Sequence, residues 1–85
     1  MTHEVSKTIK EDIYRIVGHQ LGVDPESLHD DSDLISDLNI APIDLVDLVA
    51  ALEEHFKIDI PVDEVKPLKT LQDLEILINE LVNEI

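Results

Sequence analysis

Apolar residues near the start of the chain recur every three or four positions, and this spacing predicts a first helix. Gly22 follows Leu21, and glycine is typical of the residue that ends a helix. The pattern therefore predicts a helix from about His3 to Leu21. The apolar positions on its buried face are Val5, Ile9, Ile13, Ile16 and Val17.

Residues 22–41 carry turn residues and acids, and no helical period continues through them. Apolar side chains still occur along this stretch, which a free linker would not need. We therefore predict a long loop whose apolar side chains hold it against the core. Those anchors are Leu28, Leu34, Ile35 and Leu38.

The helical period returns from about Pro42 to His55 and predicts a second helix with one buried and one acidic face. Proline suits the first helical position, because its fixed φ is helical and its missing N–H would be unpaired there. Acids take the positions between the apolar residues. The apolar residues are Ile43, Leu45, Val46, Leu48, Val49, Leu52 and Phe56.

The last third of the chain predicts one short helix and one long helix. Pro61 and Pro67 leave room for one or two helical turns between them. Thr70 and Asp73 have the spacing of a capping box, and apolar residues then recur to Ile85. We therefore expect residues 1–85 to form one all-α domain, a small four-helix bundle with a long first loop.

The charge of the chain narrows the kinds of partner that it could bind. Twenty acidic residues face six basic ones, giving a formal charge of −14. Such a chain repels nucleic acid and anionic lipid and attracts a basic protein surface, although acidity can also serve solubility alone. There is no cysteine and no apolar run of the roughly 20 residues that a membrane span needs. We expect a cytoplasmic monomer.

Candidate chemistry is sparse, and we predict neither an enzyme nor a metal site. The acids Asp30, Asp31, Asp33 and Asp37 suggest calcium, but an EF-hand loop starting at Asp31 would place Ser36 at the glycine position and Pro42 at the glutamate position. No serine has the Gly-x-Ser-x-Gly context of a hydrolase. The histidines have no zinc-binding spacing and are expected on the surface. They are His3, His19, His29 and His55.

The stretch "DLNIAPIDLVDLVAALEEHF", residues 37–56, followed by "KIDIP", resembles the acyl carrier proteins of fatty acid and polyketide synthesis. The resemblance extends back through "IVGHQLGVDPESL" and forward through "KTLQDL", and thus covers nearly all of the chain. It implies that family's four-helix bundle. In the family, the second helix opens with Asp-Ser-Leu, and the serine hydroxyl carries the phosphopantetheine arm whose thiol holds the acyl group.

The register of this resemblance places Ala41 at the aspartate, Pro42 at the serine and Ile43 at the leucine. Asn39 stands where the family usually has glycine. Because proline has no hydroxyl, we expect no phosphopantetheine and an interaction module that is not catalytic. The alternative is a working carrier in lipid or polyketide biosynthesis that attaches phosphopantetheine to another serine, of which Ser36 is nearest.

The resemblance also implies a docking surface, because the second helix of working carriers presents carboxylates to basic partner enzymes. We expect this chain to bind the basic surface of a fatty acid, polyketide or related acyl-metabolism enzyme. A solvated acidic face with no partner, and a carrier mimic that occupies a carrier-binding enzyme, remain alternatives. We expect Val46 and Ala50 to contact the partner. We also expect them to fill the bundle interior, together with Val49, Leu68 and Leu74. The expected partner-binding residues are Asp44, Asp47, Glu53, Glu54, Val46 and Ala50.

Overall fold

The computed structural model describes residues 6–83 and is all-helical. The predicted four-helix bundle with a long first loop is confirmed, and the loop also contains a short 3-10 helix that was not predicted. Within the described residues, none of the helices is both long and apolar enough to span a bilayer. The elements are α1 (Lys7–Leu21), the 3-10 helix (Pro25–Ser27), α2 (Pro42–Phe56), α3 (Val62–Val65) and α4 (Leu71–Asn83).

Helix α1 begins later than predicted and ends where predicted. Ser6 has φ −55° and ψ 136°, so it lies outside the helix and the prediction is wrong at this residue. The predicted helical residues 3–5 lie outside the described part of the chain. Gly22 ends the helix with φ 69°, a left-handed conformation that glycine adopts without steric cost, and its N–H donates to the Gly18 carbonyl.

The boundaries of the other helices follow the sequence signals closely. Helix α2 begins at Pro42 as predicted and continues one residue past His55 to Phe56. Helix α3 is a single turn that begins after Pro61 and ends before Pro67. Helix α4 begins after Thr70, and the last two residues of its predicted range, 84–85, lie outside the described part.

One apolar core joins the helices and the long loop. Helix α1 packs against α2, α4 and the 3-10 helix, so it lies at the centre of these contacts. Burial of this apolar surface is the main term that stabilises the bundle. The buried apolar side chains are Ile13, Val17, Leu28, Leu34, Ile40, Leu48, Val49, Leu52, Ile60, Val65, Leu71, Leu74 and Ile78.

The long loop is anchored by a slightly different set of side chains than predicted. Leu28 and Leu34 are buried and Leu38 is half-buried, as expected. Ile35 is 65% exposed, so its predicted anchoring role is wrong, and Ile40 is buried instead. The reason is local: residues 34–38 form a turn, in which neighbouring side chains point in different directions and cannot all face the core.

Backbone hydrogen bonds fasten the loop to the segment that opens α4. They form a short ladder around an isolated antiparallel bridge between Asp33 and Thr70. The loop that precedes α2 is therefore held on α4 by its backbone as well as by apolar contacts. The bonds run from Leu34 N to Lys69 O at 2.8 Å, from Leu71 N to Ser32 O at 3.0 Å and from Gln72 N to Asp30 O at 2.9 Å.

Candidate partner-binding site on the second helix

The start of α2 carries no side-chain cap and no hydroxyl group. Ala41 is the N-cap residue, with the extended φ of −76° and ψ of 158° that a residue before proline favours. The alanine side chain has no oxygen to accept the first N–H groups, and only the return bond of a capping box is present. In that bond, Oδ2 of Asp44 accepts from the Ala41 N–H at 3.4 Å. The fixed φ of Pro42 therefore defines this helix start.

One face of α2 is exposed and mixes apolar side chains with carboxylates. Ile43 is 72% and Val46 is 55% exposed, whereas Leu48, Val49 and Leu52 are buried. The helical period explains the mixture, because residues three, four or seven apart share a face. We call this surface the exposed α2 face. Its residues are Ile43, Asp44, Val46, Asp47, Ala50 and Glu54.

Two expectations about side chains inside the bundle are corrected by this surface. Val49 and Leu74 are buried and Leu68 is half-buried, in keeping with the predicted interior. Val46 and Ala50 are exposed, so the prediction that they fill the interior is wrong. The two residues lie one helical turn from each other on the solvent side of α2, where they remain accessible to a partner.

Glu53, which we expected among the partner-binding residues, does not belong to the exposed α2 face. It is half-buried, and its Oε2 accepts a hydrogen bond from the Ile60 N–H at 2.8 Å. Ile60 is itself buried. The carboxylate therefore satisfies a backbone donor in the segment between α2 and α3, which is a structural role.

Ser36, the alternative attachment residue, lies in the exposed turn before α2 and not on the helix. Oδ1 of Asp33 accepts from the N–H groups of both Ser36 and Ile35 at 2.8 Å. These bonds lower the pKa of Asp33, and the bond from the Ser36 N–H has the largest effect. The Ser36 hydroxyl thus belongs to a turn organised around a neighbouring carboxylate.

Two acids of the long loop, Asp30 and Asp37, are bound to groups of the protein itself. Asp30 is paired with Lys10 at 2.9 Å, and Asp37 Oδ2 accepts from the Asp33 N–H at 2.8 Å. Across residues 6–83, no three His, Asp or Glu side chains come together as a group able to hold a metal ion.

The histidines of the described segment are exposed, as expected for His19, His29 and His55. His3 lies outside that segment. His55 also contacts Asp12 at 3.2 Å, and this hydrogen bond is the main cause that lowers the pKa of Asp12.

Two notable residues were missed by the sequence reasoning. Ile43 was counted with the core positions of α2, although it lies four residues before Asp47, on the polar side. Glu75 was not noticed, although its spacing to Leu71 and Ile78 places it on the buried stripe of α4, where it is only 1% exposed. In both cases the helical period contained the signal.

Comparison with known proteins identifies the class to which this helical bundle belongs. The family model described as "Phosphopantetheine attachment site" matches residues 11–78. The chain is 43% identical over 74 residues to the acyl carrier protein of Thermosynechococcus vestitus, an alignment that covers 87% of this chain and 91% of that protein.

Two further acyl carrier proteins match over similar lengths. That of Campylobacter concisus is 41% identical over 71 residues, which are 84% of this chain and 92% of the relative. That of Chlamydia trachomatis serovar D is 38% identical over 76 residues, which are 89% of this chain and 99% of the relative. The chain belongs to the acyl carrier protein family.

Proposed function

We propose that this protein is an acyl-carrier-like interaction module without a phosphopantetheine arm, which docks on a basic surface of an acyl-metabolism enzyme through the exposed α2 face. The observation that carries the proposal is the combination at α2: its start offers no hydroxyl, while its exposed face keeps both carboxylates and apolar side chains. The module itself catalyses no reaction in this proposal.

The residues at the start of α2 do not fit a phosphopantetheine group joined through a serine hydroxyl. Ala41, Pro42 and Ile43 carry no side-chain oxygen, so no phosphodiester can form there. The nearest upstream hydroxyl belongs to Ser36, six residues before Pro42 and outside the helix. We therefore propose no cofactor and no acyl cargo at this helix start.

The exposed α2 face has the chemistry of a docking surface for a cationic partner. Asp44, Asp47 and Glu54 supply negative charge, and the exposed Ile43 and Val46 supply apolar area that gains from burial in a complex. A chain with a formal charge of −14 also attracts a basic partner over some distance. Such steering raises the association rate and weakens with salt, whose screening length is about 10 Å at 0.1 M.

The experiment compares three forms of the protein immobilised and incubated with native cell extract. In the test variant, Asp47→Lys and Glu54→Lys reverse two exposed charges on α2. In the control, Glu11→Lys and Glu26→Lys make the same charge change at exposed positions away from α2. Retained proteins are identified by mass spectrometry, and the association rate of the purified partner is then measured at several salt concentrations.

We expect the wild type and the control to retain an acyl-metabolism enzyme with a basic docking surface, and the α2 variant to lose it. The loss should come mainly from slower association, and added salt should reproduce it in the wild type. If all three forms retain the same proteins, or none retains such an enzyme, the exposed α2 face is only a solvated surface.

A further inference from the structure

Glu75 is a buried carboxyl group that the proposed docking function does not use. It lies on the inner face of α4, is 1% exposed, and its Oε2 has no hydrogen-bond partner among residues 6–83. Burial of an ionised carboxylate without a partner is costly, so ionisation of Glu75 would destabilise the packing around it. The neighbours of Glu75 determine which contacts would be affected.

Asp30 in the long loop lies beside the turn of α4 that carries Glu75, because its carbonyl accepts from the Gln72 N–H at 2.9 Å. Two groups of α1 bind its carboxylate. Lys10 Nζ pairs with Asp30 Oδ2 at 2.9 Å, and the Tyr14 hydroxyl donates to Asp30 Oδ1. Burial opposes the ionisation of Asp30, but hydrogen bonds from Tyr14, Glu75 and Lys10 outweigh it and lower the pKa of Asp30. Asp31, also in the loop, adds negative charge near Tyr14.

These neighbours favour a neutral Glu75 that donates to an ionised Asp30. Burial, followed by the hydrogen bond to Asp30 and the charge of Asp30, raises the pKa of Glu75 to about 8, and Lys10 only partly opposes this. If Glu75 loses its proton, two carboxylates meet at a site with one lysine. The site joins α1, the long loop and α4, so repulsion there acts on all three elements.

We propose that the contact between Glu75 and Asp30 is a pH-sensitive latch, which holds the long loop on α4 while Glu75 is protonated and releases it when Glu75 ionises. This inference is independent of the proposed partner. The backbone bonds from Gln72 N to Asp30 O and from Leu71 N to Ser32 O are next to the latch and open with it. The released loop leads directly into α2.

The direction of the pH dependence follows from linkage. The closed state holds the proton with a pKa of about 8, whereas an opened Glu75 has an ordinary value near 4.5. Between these two pKa values, the closed state therefore binds more protons than the open state. The stabilisation of the closed state by the proton on Glu75 is complete below the lower value and is lost as pH rises through the higher one. Over this window the opening equilibrium rises by up to about tenfold per pH unit.

Amide hydrogen exchange at Leu71 and Gln72 tests the latch, after correction for the intrinsic pH dependence of exchange. In the wild type, protection of both amides should fall by up to about tenfold per pH unit between about pH 5.5 and 7.5. In Glu75→Gln it should stay level, because the amide can still donate to Asp30 and carries no charge. Glu64→Gln, at an exposed glutamate of α3, should behave as the wild type.

A direct titration of the wild type keeps the proposal testable even if Glu75→Gln folds poorly. The carbon-13 shift of the Glu75 carboxyl should report a midpoint raised well above the ordinary 4.5, up to about 8. A midpoint near 4.5, or equal pH slopes in the wild type and Glu75→Gln, would overturn the latch.

Discussion

The first turns of α2 and α4 differ in how their unpaired backbone N–H groups are capped. At α4, Thr70 Oγ1 accepts from the Asp73 N–H at 3.2 Å, and Asp73 Oδ2 accepts from the N–H groups of Thr70 and Lys69 at 3.1 Å. At α2, the reciprocal bond is absent because the Ala41 side chain has no oxygen, and the return bond to Asp44 is long at 3.4 Å. Proline geometry replaces side-chain capping there.

The difference separates carboxylates that build the fold from carboxylates that remain accessible. Asp73 is committed to backbone donors at the α4 start, and Glu53 is committed to Ile60 at the end of α2. Asp47 and Glu54 lie in solvent beside exposed apolar side chains. Acidity alone therefore does not identify the proposed docking residues, because each carboxylate must be judged by the groups that it already binds.

The largest effect expected from this comparison concerns Glu53. Glu53→Ala removes the acceptor of the Ile60 N–H and should lower the free energy of unfolding by about 1–3 kcal/mol, since a buried donor is left unpaired. Glu54→Ala, at the neighbouring exposed acid, should change it by less than about 0.5 kcal/mol. Urea unfolding at pH 7 measures both. Equal effects of the two substitutions would remove the distinction between structural and accessible acids.

A smaller loss is expected at the start of α4. Thr70→Ala removes the side-chain acceptor of the capping box and should cost about 1 kcal/mol in the same unfolding assay. Thr8→Ala is the matched control, because Thr8 is an exposed residue of α1. A Thr70 variant as stable as that control would show that the cap contributes nothing.

The charge of Asp73 gives this cap a definite pH dependence. Hydrogen bonds from the backbone N–H groups of Lys69 and Thr70 lower the pKa of Asp73 below its ordinary 3.8. The stabilisation is therefore complete above about pH 4 and is lost as pH falls through the lowered pKa. Asp73→Asn should be less stable than the wild type at pH 6, and the gap should narrow toward pH 3. A gap that is constant over this range would contradict the assignment.

The start of α2 should respond in the opposite direction and by a smaller amount. Ala41→Ser introduces the missing acceptor and should raise the free energy of unfolding by about 0.5–1 kcal/mol. Ala50→Ser, in the middle of the same helix, should lower it by roughly 0.5 kcal/mol through helix propensity. Thermal unfolding of the two variants checks the opposite signs. A loss of stability in Ala41→Ser would mean that this helix start is already satisfied.

The helices could be predicted from the sequence because their signals are local. The apolar period, Gly22, the prolines and the Thr70–Asp73 spacing each act within one or two helical turns. The resemblance to acyl carrier proteins could also be recognised from the sequence, since the motif that carries it is one continuous stretch around α2.

The remaining features depend on contacts between distant segments. The pairing of Glu53 with Ile60, the burial of Ile40 in place of Ile35, and the meeting of Asp30 with Glu75 all depend on how loops return to the bundle. No local period encodes these contacts, so the structural role of Glu53 was not predicted and the meeting of Asp30 with the buried Glu75 was missed.

The proposed lack of a phosphopantetheine arm can be tested by the intact mass of the protein after incubation with coenzyme A and a broad-specificity phosphopantetheinyl transferase. The double variant Ala41→Asp with Pro42→Ser restores the family motif and serves as the positive control. We predict that the variant gains one phosphopantetheine, which requires an intact docking face, and that the wild type stays unchanged because Pro42 has no hydroxyl. A wild-type protein that gains one phosphopantetheine, mapped to Ser36 or to any other residue, would be a working carrier and not a module without an arm.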